Sequence, residues 1–200
     1  MNATPPEEPP ATPTQIHENV VLSAERESGG VTLVIVDMQH PFVSACKDPQ
    51  LVPAVVAQVK LAIERNWGIV LIEVKPWTYG QTVKPIMELL EGKYDRYVVC
   101  TKEGDDGSAE VLAACKENPK LPDSVFRVTG VLIGACVLST AWGLVRRRSH
   151  ALVRVIKEAC GTTGDREAAW AAFKVGPRVV VSSKSIDRRG WWNLSWRLPW

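Results

Sequence analysis

A cysteine at the junction of a strand and a helix is the first residue of this sequence that could carry chemistry. Residues 128–140 read Val-Thr-Gly-Val-Leu-Ile-Gly-Ala-Cys-Val-Leu-Ser-Thr, with Cys136 where a helix is predicted to begin. The positive end of a helix dipole favours a thiolate, which is the nucleophilic form of the thiol. A lone buried cysteine more often serves as a small hydrophobic side chain. Cys136 is therefore a candidate nucleophile that needs support from other residues.

Two charged residues end other predicted strands and could act with that thiol. Asp37 closes the first strand and Lys102 follows the third, while Cys136 follows the fourth. Ligands bind at the carboxyl ends of the strands in open parallel sheets, so the three residues are expected to converge. Singly, the aspartate could be a turn former and the lysine a solvated surface residue. Together they supply a base, a cation and a nucleophile, which is the set needed for cysteine-based acyl transfer.

The elements that must position these residues alternate between strand and helix. Continuous β-branched runs without polar alternation are typical of parallel strands buried on both faces. The predicted strands are 31–37, 68–74, 96–100 (continuing to Lys102), 125–131, 152–156 and 178–182. The predicted helices are 49–65, 85–90, 108–116, 135–146 and 166–173. This alternation predicts a three-layer α/β/α fold with a six-stranded parallel sheet. The first strand is not followed by the glycine motif of dinucleotide-binding proteins, which disfavours a role in binding NAD.

The composition is that of a globular chain. Its 200 residues are 46% hydrophobic and 23% charged, with a net charge of +2, which favours neither nucleic-acid nor membrane partners. The five cysteines include no C-x-x-C pair, and we find neither a signal peptide nor an apolar run of ~18 residues. These features favour a reducing, cytoplasmic location.

Both ends differ in composition from the middle of the chain. We expect residues 1–28 to form a disordered extension with a short arm at 16–22, and residues 29–187 to form the domain. Residues 188–200 are a tail that contains four of the eight tryptophans. Aromatic residues with arginine are favoured at interfaces, so a homo-oligomer assembled partly through this tail is expected. Packing of the tail on its own domain is the alternative.

Three segments in this order resemble the isochorismatase-like superfamily of cysteine hydrolases, which includes nicotinamidases and carbamoylsarcosine amidases. The resemblance covers about residues 31–186 and implies a sheet of order 3-2-1-4-5-6 with an aspartate–lysine–cysteine triad. Asp37, Lys102 and Cys136 match that triad. The segments are Leu33-Val-Ile-Val-Asp-Met-Gln-His-Pro-Phe42, Val98-Val-Cys-Thr-Lys102 and Gly130-Val-Leu-Ile-Gly-Ala-Cys-Val-Leu-Ser-Thr-Ala141.

The resemblance also implies the backbone geometry next to the nucleophile. It implies a cis peptide between Val131 and Leu132. The amides of Leu132 and Cys136 would then form an oxyanion hole for the tetrahedral intermediate.

Three side chains are expected to line the substrate site. They are Phe42, at a position where the resemblance implies an aromatic wall, Val131, and Trp77, with Tyr79 as an alternative to Trp77 for stacking on a substrate. Phe42 could equally be a packed core residue. Trp77 could instead be a surface or subunit-contact aromatic.

The sequence departs from the metal-binding nicotinamidases after the second strand. Those enzymes carry Asp-x-His there, whereas residues 73–81 read Glu-Val-Lys-Pro-Trp-Thr-Tyr-Gly-Gln. His17, His40 and His150 form no ligand pattern, so we expect no metal and no other cofactor. The resemblance implies carbonyl substrates, because isochorismatases, which cleave a vinyl ether, commonly lack the cysteine.

We therefore predict a metal-independent cysteine hydrolase that cleaves a small amide or related carbonyl compound through a thioester. Asp37 would accept the thiol proton, and Lys102 would stabilise the thiolate. The expected partners are a small-molecule substrate and further copies of the chain, without nucleic acid or membrane. The alternative is a non-catalytic scaffold used for binding or assembly, which is favoured by the altered Ile133-Gly134 loop and the missing aromatic residue after Lys102.

Overall fold

A six-stranded parallel sheet forms the centre of the computed structural model, which describes residues 12–27 and 30–183. The strand order is β3-β2-β1-β4-β5-β6, as predicted. In the register of the two central strands, Val36 lies beside Gly130, so the ends of β1 and β4 are adjacent. The strands are β1 (Thr32–Val36), β2 (Gly68–Val74), β3 (Tyr97–Lys102), β4 (Val125–Val131), β5 (Leu152–Gly161) and β6 (Val179–Ser182).

Helices cover both faces of the sheet, which confirms the three-layer α/β/α fold. Along β1, Val34 and Val36 belong to one buried apolar cluster, while Leu33 and Ile35 belong to a second cluster. A strand whose two faces are both buried has no polar alternation, which explains the continuous apolar run in the sequence. The helices are α1 (Pro13–Glu27), α2 (His40–Cys46), α3 (Leu51–Glu64), α4 (Pro76–Tyr79), α5 (Lys84–Leu90), α6 (Ser108–Glu117), α7 (Leu138–Arg147) and α8 (Arg166–Ala172).

Several elements differ from the sequence prediction. The short helices α2 and α4 lie where no helix was predicted, and each has a proline in its first turn, where the fixed φ of proline favours helix initiation. β5 continues to Gly161, five residues beyond the predicted end, through a register shift opposite Val128 and Gly130. Both short helices follow strand ends at the carboxyl edge, so they shape the rim of the site.

The N-terminal segment is a helix of 15 residues, α1, where a short arm at 16–22 was expected. Val21 is fully buried, and the Glu25 carboxylate contacts two arginines that are themselves buried in the sheet. Glu25 Oε2 lies 3.0 Å from Arg127 Nη2 and 2.8 Å from Arg154 Nη1. A carboxylate placed between two guanidinium groups compensates their charge in the interior. α1 is therefore an integral part of the domain.

The predictions for the ends of the chain fall mostly outside the described residues. The extension before residue 12, the residues after 183 and the tryptophan-rich tail at 188–200 belong to this group. Within the part of the chain that the structure describes, no helix has the length and apolarity needed to cross a membrane.

Candidate active site

Asp37 is the first residue after β1 and is held in an uncommon backbone conformation. Its φ is +50°, in the left-handed region that non-glycine residues rarely adopt. Its amide donates to the Ile72 carbonyl at 2.9 Å, and its own carbonyl accepts from the Gln39 amide at 2.7 Å. These bonds fix the turn at the carboxyl edge of the sheet. The side chain is buried, with 2% of the residue exposed.

Lys102, the last residue of β3, forms an ion pair with Asp37. Its Nζ lies 2.9 Å from Asp37 Oδ2, and the two side chains are 0% and 3% exposed. Lys102 Nζ also donates to the Asp105 carbonyl at 3.0 Å. Burial raises the pKa of the Asp37 carboxyl above its ordinary value, and the Lys102 ammonium opposes that rise. Two residues that are 65 positions apart in sequence thus form one buried charged pair.

Cys136 lies in a π-helical turn, Ile133–Val137, that continues directly into α7. The sequence predicted an α-helix from residue 135, so the nucleophile was expected in a first α-helical turn. π-helical segments are rare and are frequent at functional sites. The wider turn leaves Gly134 facing open space, since no atom lies within 4 Å of the position where a Cβ would stand.

The protonation state of Cys136 differs from the expectation of a thiolate. Burial and the neighbouring Asp37 charge raise the pKa of the thiol to about 12, and Lys102 only partly opposes this. The helix-dipole effect inferred from the sequence is thus outweighed by desolvation and by a like charge. Cys136 is therefore a protonated thiol at rest, and the role of Asp37 as the acceptor of its proton stays a prediction.

The backbone before Cys136 has two unusual features. The peptide bond between Val131 and Leu132 is cis, and Gly130 has a φ of +120°. A Cβ on Gly130 would lie 2.0 Å from the Val36 carbonyl oxygen, so only glycine allows β4 to approach β1 this closely. The role of the Leu132 and Cys136 amides as an oxyanion hole stays a prediction.

The predicted substrate-lining residues occupy different environments. Phe42 is half-buried and packs against Tyr79, with ring centroids 4.9 Å apart. Trp77 is 69% exposed on α4. The side chain of Val131 packs in the core, which leaves only its backbone available to a substrate. Contact of these residues with a substrate stays a prediction.

Gln39 is a buried polar residue near the site to which sequence reasoning gave no role. Its Nε2 donates to the Val74 carbonyl at 3.1 Å and also to the Gly80 carbonyl, while its Oε1 accepts from the Val74 amide at 2.9 Å. Gln39 therefore joins the turn after Asp37 to the segment that carries α4. The sequence shows only that a glutamine lies two residues after a strand end, which indicates a residue near the site. The structure is needed to show which backbone groups it binds.

The loop between β3 and α6 brings a second carboxylate to the thiol. The Cys136 thiol lies 3.6 Å from Asp105 Oδ1 and donates to it. The next residue, Asp106, lies 3.3 Å from Arg147 Nη2, so Arg147 at the end of α7 holds this loop. An acidic loop three residues after Lys102 was visible in the sequence, but its path was not.

A metal centre has no support from the described side chains. Among residues 12–27 and 30–183, no three His, Cys, Asp or Glu side chains are grouped so that they could hold a metal ion. The Glu73 carboxylate, at the start of the 73–81 segment, accepts from the Thr82 amide at 2.7 Å.

Comparison with known proteins places this arrangement in a fold class. Neither the models of protein families nor the curated proteins gave a match. Solved structures did match, among them MAR1 ribonuclease from Caenorhabditis elegans, with 19% identity, 81% coverage of each chain and a TM-score of 0.67. The nicotinamidase SaPncA from Staphylococcus aureus has 16% identity and a TM-score of 0.62, covering 76% of this chain and 98% of its own.

A third match is an isochorismatase-like hydrolase from Alkaliphilus metalliredigens, with 15% identity and a TM-score of 0.63. It covers 81% of this chain and 99% of its own. The fold and site thus define a three-layer α/β protein with cysteine, aspartate and lysine at the carboxyl edge of its sheet. This chain has the isochorismatase-like hydrolase fold.

Proposed function

We propose that this protein is a metal-independent cysteine hydrolase that cleaves a small amide or related carbonyl substrate. The observation that carries the proposal is the buried Asp37–Lys102 ion pair beside the Cys136 thiol. A buried ion pair is costly to form, and its position next to a nucleophile is typical of catalytic sites. Two of the similar structures are named as a nicotinamidase and as an isochorismatase-like hydrolase, which supports hydrolysis.

Asp37 is the acid–base residue in this mechanism. The thiol proton passes to the Asp37 carboxylate as Cys136 Sγ attacks the carbonyl carbon, so a free thiolate does not need to accumulate. A carboxyl whose pKa is raised by burial accepts and returns a proton near neutral pH more readily than an exposed one. The proton then moves to the leaving nitrogen as the C–N bond breaks, which leaves a thioester on Cys136.

Water completes the cycle at the same residues. Asp37 accepts a proton from water while the water oxygen attacks the thioester carbonyl. The C–S bond breaks, the acid product leaves, and the proton held by Asp37 returns to the sulfur. Lys102 keeps Asp37 ionised between steps and offsets the negative charge that develops on the sulfur.

Ammonia release from a panel of small primary amides that includes nicotinamide tests this function. Cys136→Ala is expected to abolish hydrolysis, while Cys46→Ala, a change at another half-buried cysteine, should retain it. Quenching the wild type with acid should trap an acyl group on Cys136, which peptide mass mapping detects. Full activity in Cys136→Ala would exclude the thioester mechanism. If the wild type neither released ammonia nor formed an adduct, the non-catalytic scaffold would be the better description.

A further inference from the structure

Asp105 is an exposed residue whose carboxylate contacts the nucleophile directly. Its Oδ1 accepts from the Cys136 thiol at 3.6 Å, and its backbone carbonyl accepts from Lys102 Nζ at 3.0 Å. The residue therefore touches two members of the proposed triad through two different groups. Its carboxylate contacts the sulfur while the residue is exposed to solvent, from which a substrate would arrive.

The loop that carries Asp105 is fixed on its C-terminal side. Asp106 Oδ1 accepts from the Ser108 amide at 2.9 Å, and its Oδ2 lies 3.3 Å from Arg147 Nη2. The Gly107 amide donates to Thr140 Oγ1, a buried hydroxyl of α7, at 3.1 Å. The position of Asp105 is therefore set by α7, the same helix that follows the nucleophile.

A second observation at the same place also indicates a ligand. Asp37 Oδ2 is paired with Lys102, whereas Asp37 Oδ1 is buried without a hydrogen-bond partner in the described part of the chain. A buried carboxylate oxygen without a donor is unfavourable. A substrate N–H group placed beside Cys136 would supply that donor. The thiol thus lies beside two carboxylates, of which the exposed one of Asp105 is open to a positively charged, N–H-rich group.

We propose that Asp105 selects substrates that carry a positive charge close to the carbon attacked by Cys136. An ammonium, amidinium or guanidinium group would pair with the Asp105 carboxylate while the adjacent carbonyl faces the sulfur. A neutral or anionic compound would leave the Asp105 charge next to the developing oxyanion, which is unfavourable. This assignment rests on the proposed function and names the substrate class for it.

The electrostatics of the free protein agree with this assignment. Burial and the Asp37 charge raise the pKa of the Cys136 thiol to about 12. A cation bound at Asp105 lies near the sulfur and lowers that pKa, because it stabilises the thiolate. Binding of the correct substrate therefore promotes the attack, whereas a neutral compound gives no such help.

Charged thiol reagents test the assignment without requiring turnover. A cationic methanethiosulfonate carrying a trimethylammonium group and an anionic one carrying a sulfonate are each reacted with the protein. Peptide mass mapping follows the modification of Cys136, and each rate is divided by the rate of the same reagent with 2-mercaptoethanol. The ratio of cationic to anionic rates cancels any change in thiol pKa. One unit charge at ~4 Å in water changes the rate of each reagent about fivefold, in opposite directions, so Asp105→Asn should lower this ratio about 25-fold.

Glu91→Gln removes the same formal charge at a distant place. Glu91 follows α5 near Tyr94, whose hydroxyl donates to the Trp67 carbonyl just before β2, at the amino edge of the sheet. This variant should retain the wild-type ratio. An unchanged ratio in Asp105→Asn, or an equal fall in both variants, would overturn the proposal.

The amide panel separates this inference from the proposed function. Glycinamide, which is cationic, should be hydrolysed in preference to neutral propionamide, and Asp105→Asn should reduce that preference. If the reagent ratio falls as expected but no amide is cleaved, the hydrolase proposal fails and the charge selection by Asp105 stands. If amides are cleaved without a charge preference, the hydrolase proposal stands and the assignment of Asp105 is wrong.

Discussion

The Lys102 ammonium lies 2.9 Å from the Asp37 carboxylate, and both side chains are buried where three strand ends meet. A carboxylate and an ammonium in the interior each depend on the other for compensation of charge. The pair also lies beside the Cys136 thiol, so a change in either residue alters both the stability of the fold and the reactivity of the sulfur. The first two predictions separate these effects.

Asp37→Asn should make the Cys136 thiol more reactive towards alkylation while it reduces hydrolysis. The Asp37 charge contributes to the raised pKa of the thiol, so its removal lowers that pKa from about 12. At a fixed pH below the pKa, a lower pKa means more thiolate and faster reaction with iodoacetamide. Hydrolysis should fall by about 10² to 10⁴, the usual contribution of a general base. The measurement is the alkylation rate of Cys136 from pH 7 to 10, and a higher apparent pKa in the variant would contradict it.

Lys102→Met should lower the free energy of unfolding by about 3 to 5 kcal/mol, because it leaves the Asp37 carboxylate buried without its cation. The double variant Asp37→Leu/Lys102→Met should recover most of that loss, since two apolar side chains of similar volume need no charge compensation. Urea denaturation of the wild type, Asp37→Leu, Lys102→Met and the double variant gives the coupling energy between the two residues. Additive single effects would show that the two residues stabilise the fold independently.

Glu25→Gln tests whether α1 is part of the folded domain. The change leaves Arg127 and Arg154 buried without the Glu25 charge, so unfolding should become easier by about 3 kcal/mol. Glu18→Gln, on the same helix, is the matched control and should change stability by less than ~0.5 kcal/mol. Urea denaturation measures both, and equal effects of the two variants would mean that the buried pairs add nothing specific.

Gly130 and Gly134 form a matched pair on the two sides of the cis peptide. Gly130→Ala should prevent stable folding, because its Cβ would lie 2.0 Å from the Val36 carbonyl and its φ is +120°. Gly134→Ala should be tolerated, since nothing lies within 4 Å of the new methyl group. Alanine also restricts the unfolded chain, so stability could rise by about 0.4 to 1 kcal/mol. Thermal unfolding followed by circular dichroism compares the two, and a stable Gly130→Ala variant would contradict the close approach of β1 and β4.

The sequence was sufficient for the sheet but not for the local geometry of the site. β2 and β4 have the predicted bounds, since an apolar run flanked by turn residues fixes a buried parallel strand. The π-turn at Cys136 was not predicted, because its wider backbone depends on packing and not on local propensity. The raised pKa of the thiol was missed for a similar reason: burial and the proximity of Asp37 are properties of the assembled fold. The contact between Asp105 and Cys136 depends on a loop whose path the sequence does not determine.

The ion pair between Glu25 and Arg154 joins residues 129 positions apart, which has a consequence for the order of events on the ribosome. At the usual rate of synthesis, Arg154 is made on the order of ten seconds after Glu25. For most of that interval the first helix has been translated, but β4 and β5, which carry its two arginine partners, have not. A nascent chain stalled before β4 would therefore present a helix with an exposed apolar face, which is a target for chaperones. Truncation near the C-terminus should for the same reason loosen the opposite end of the chain.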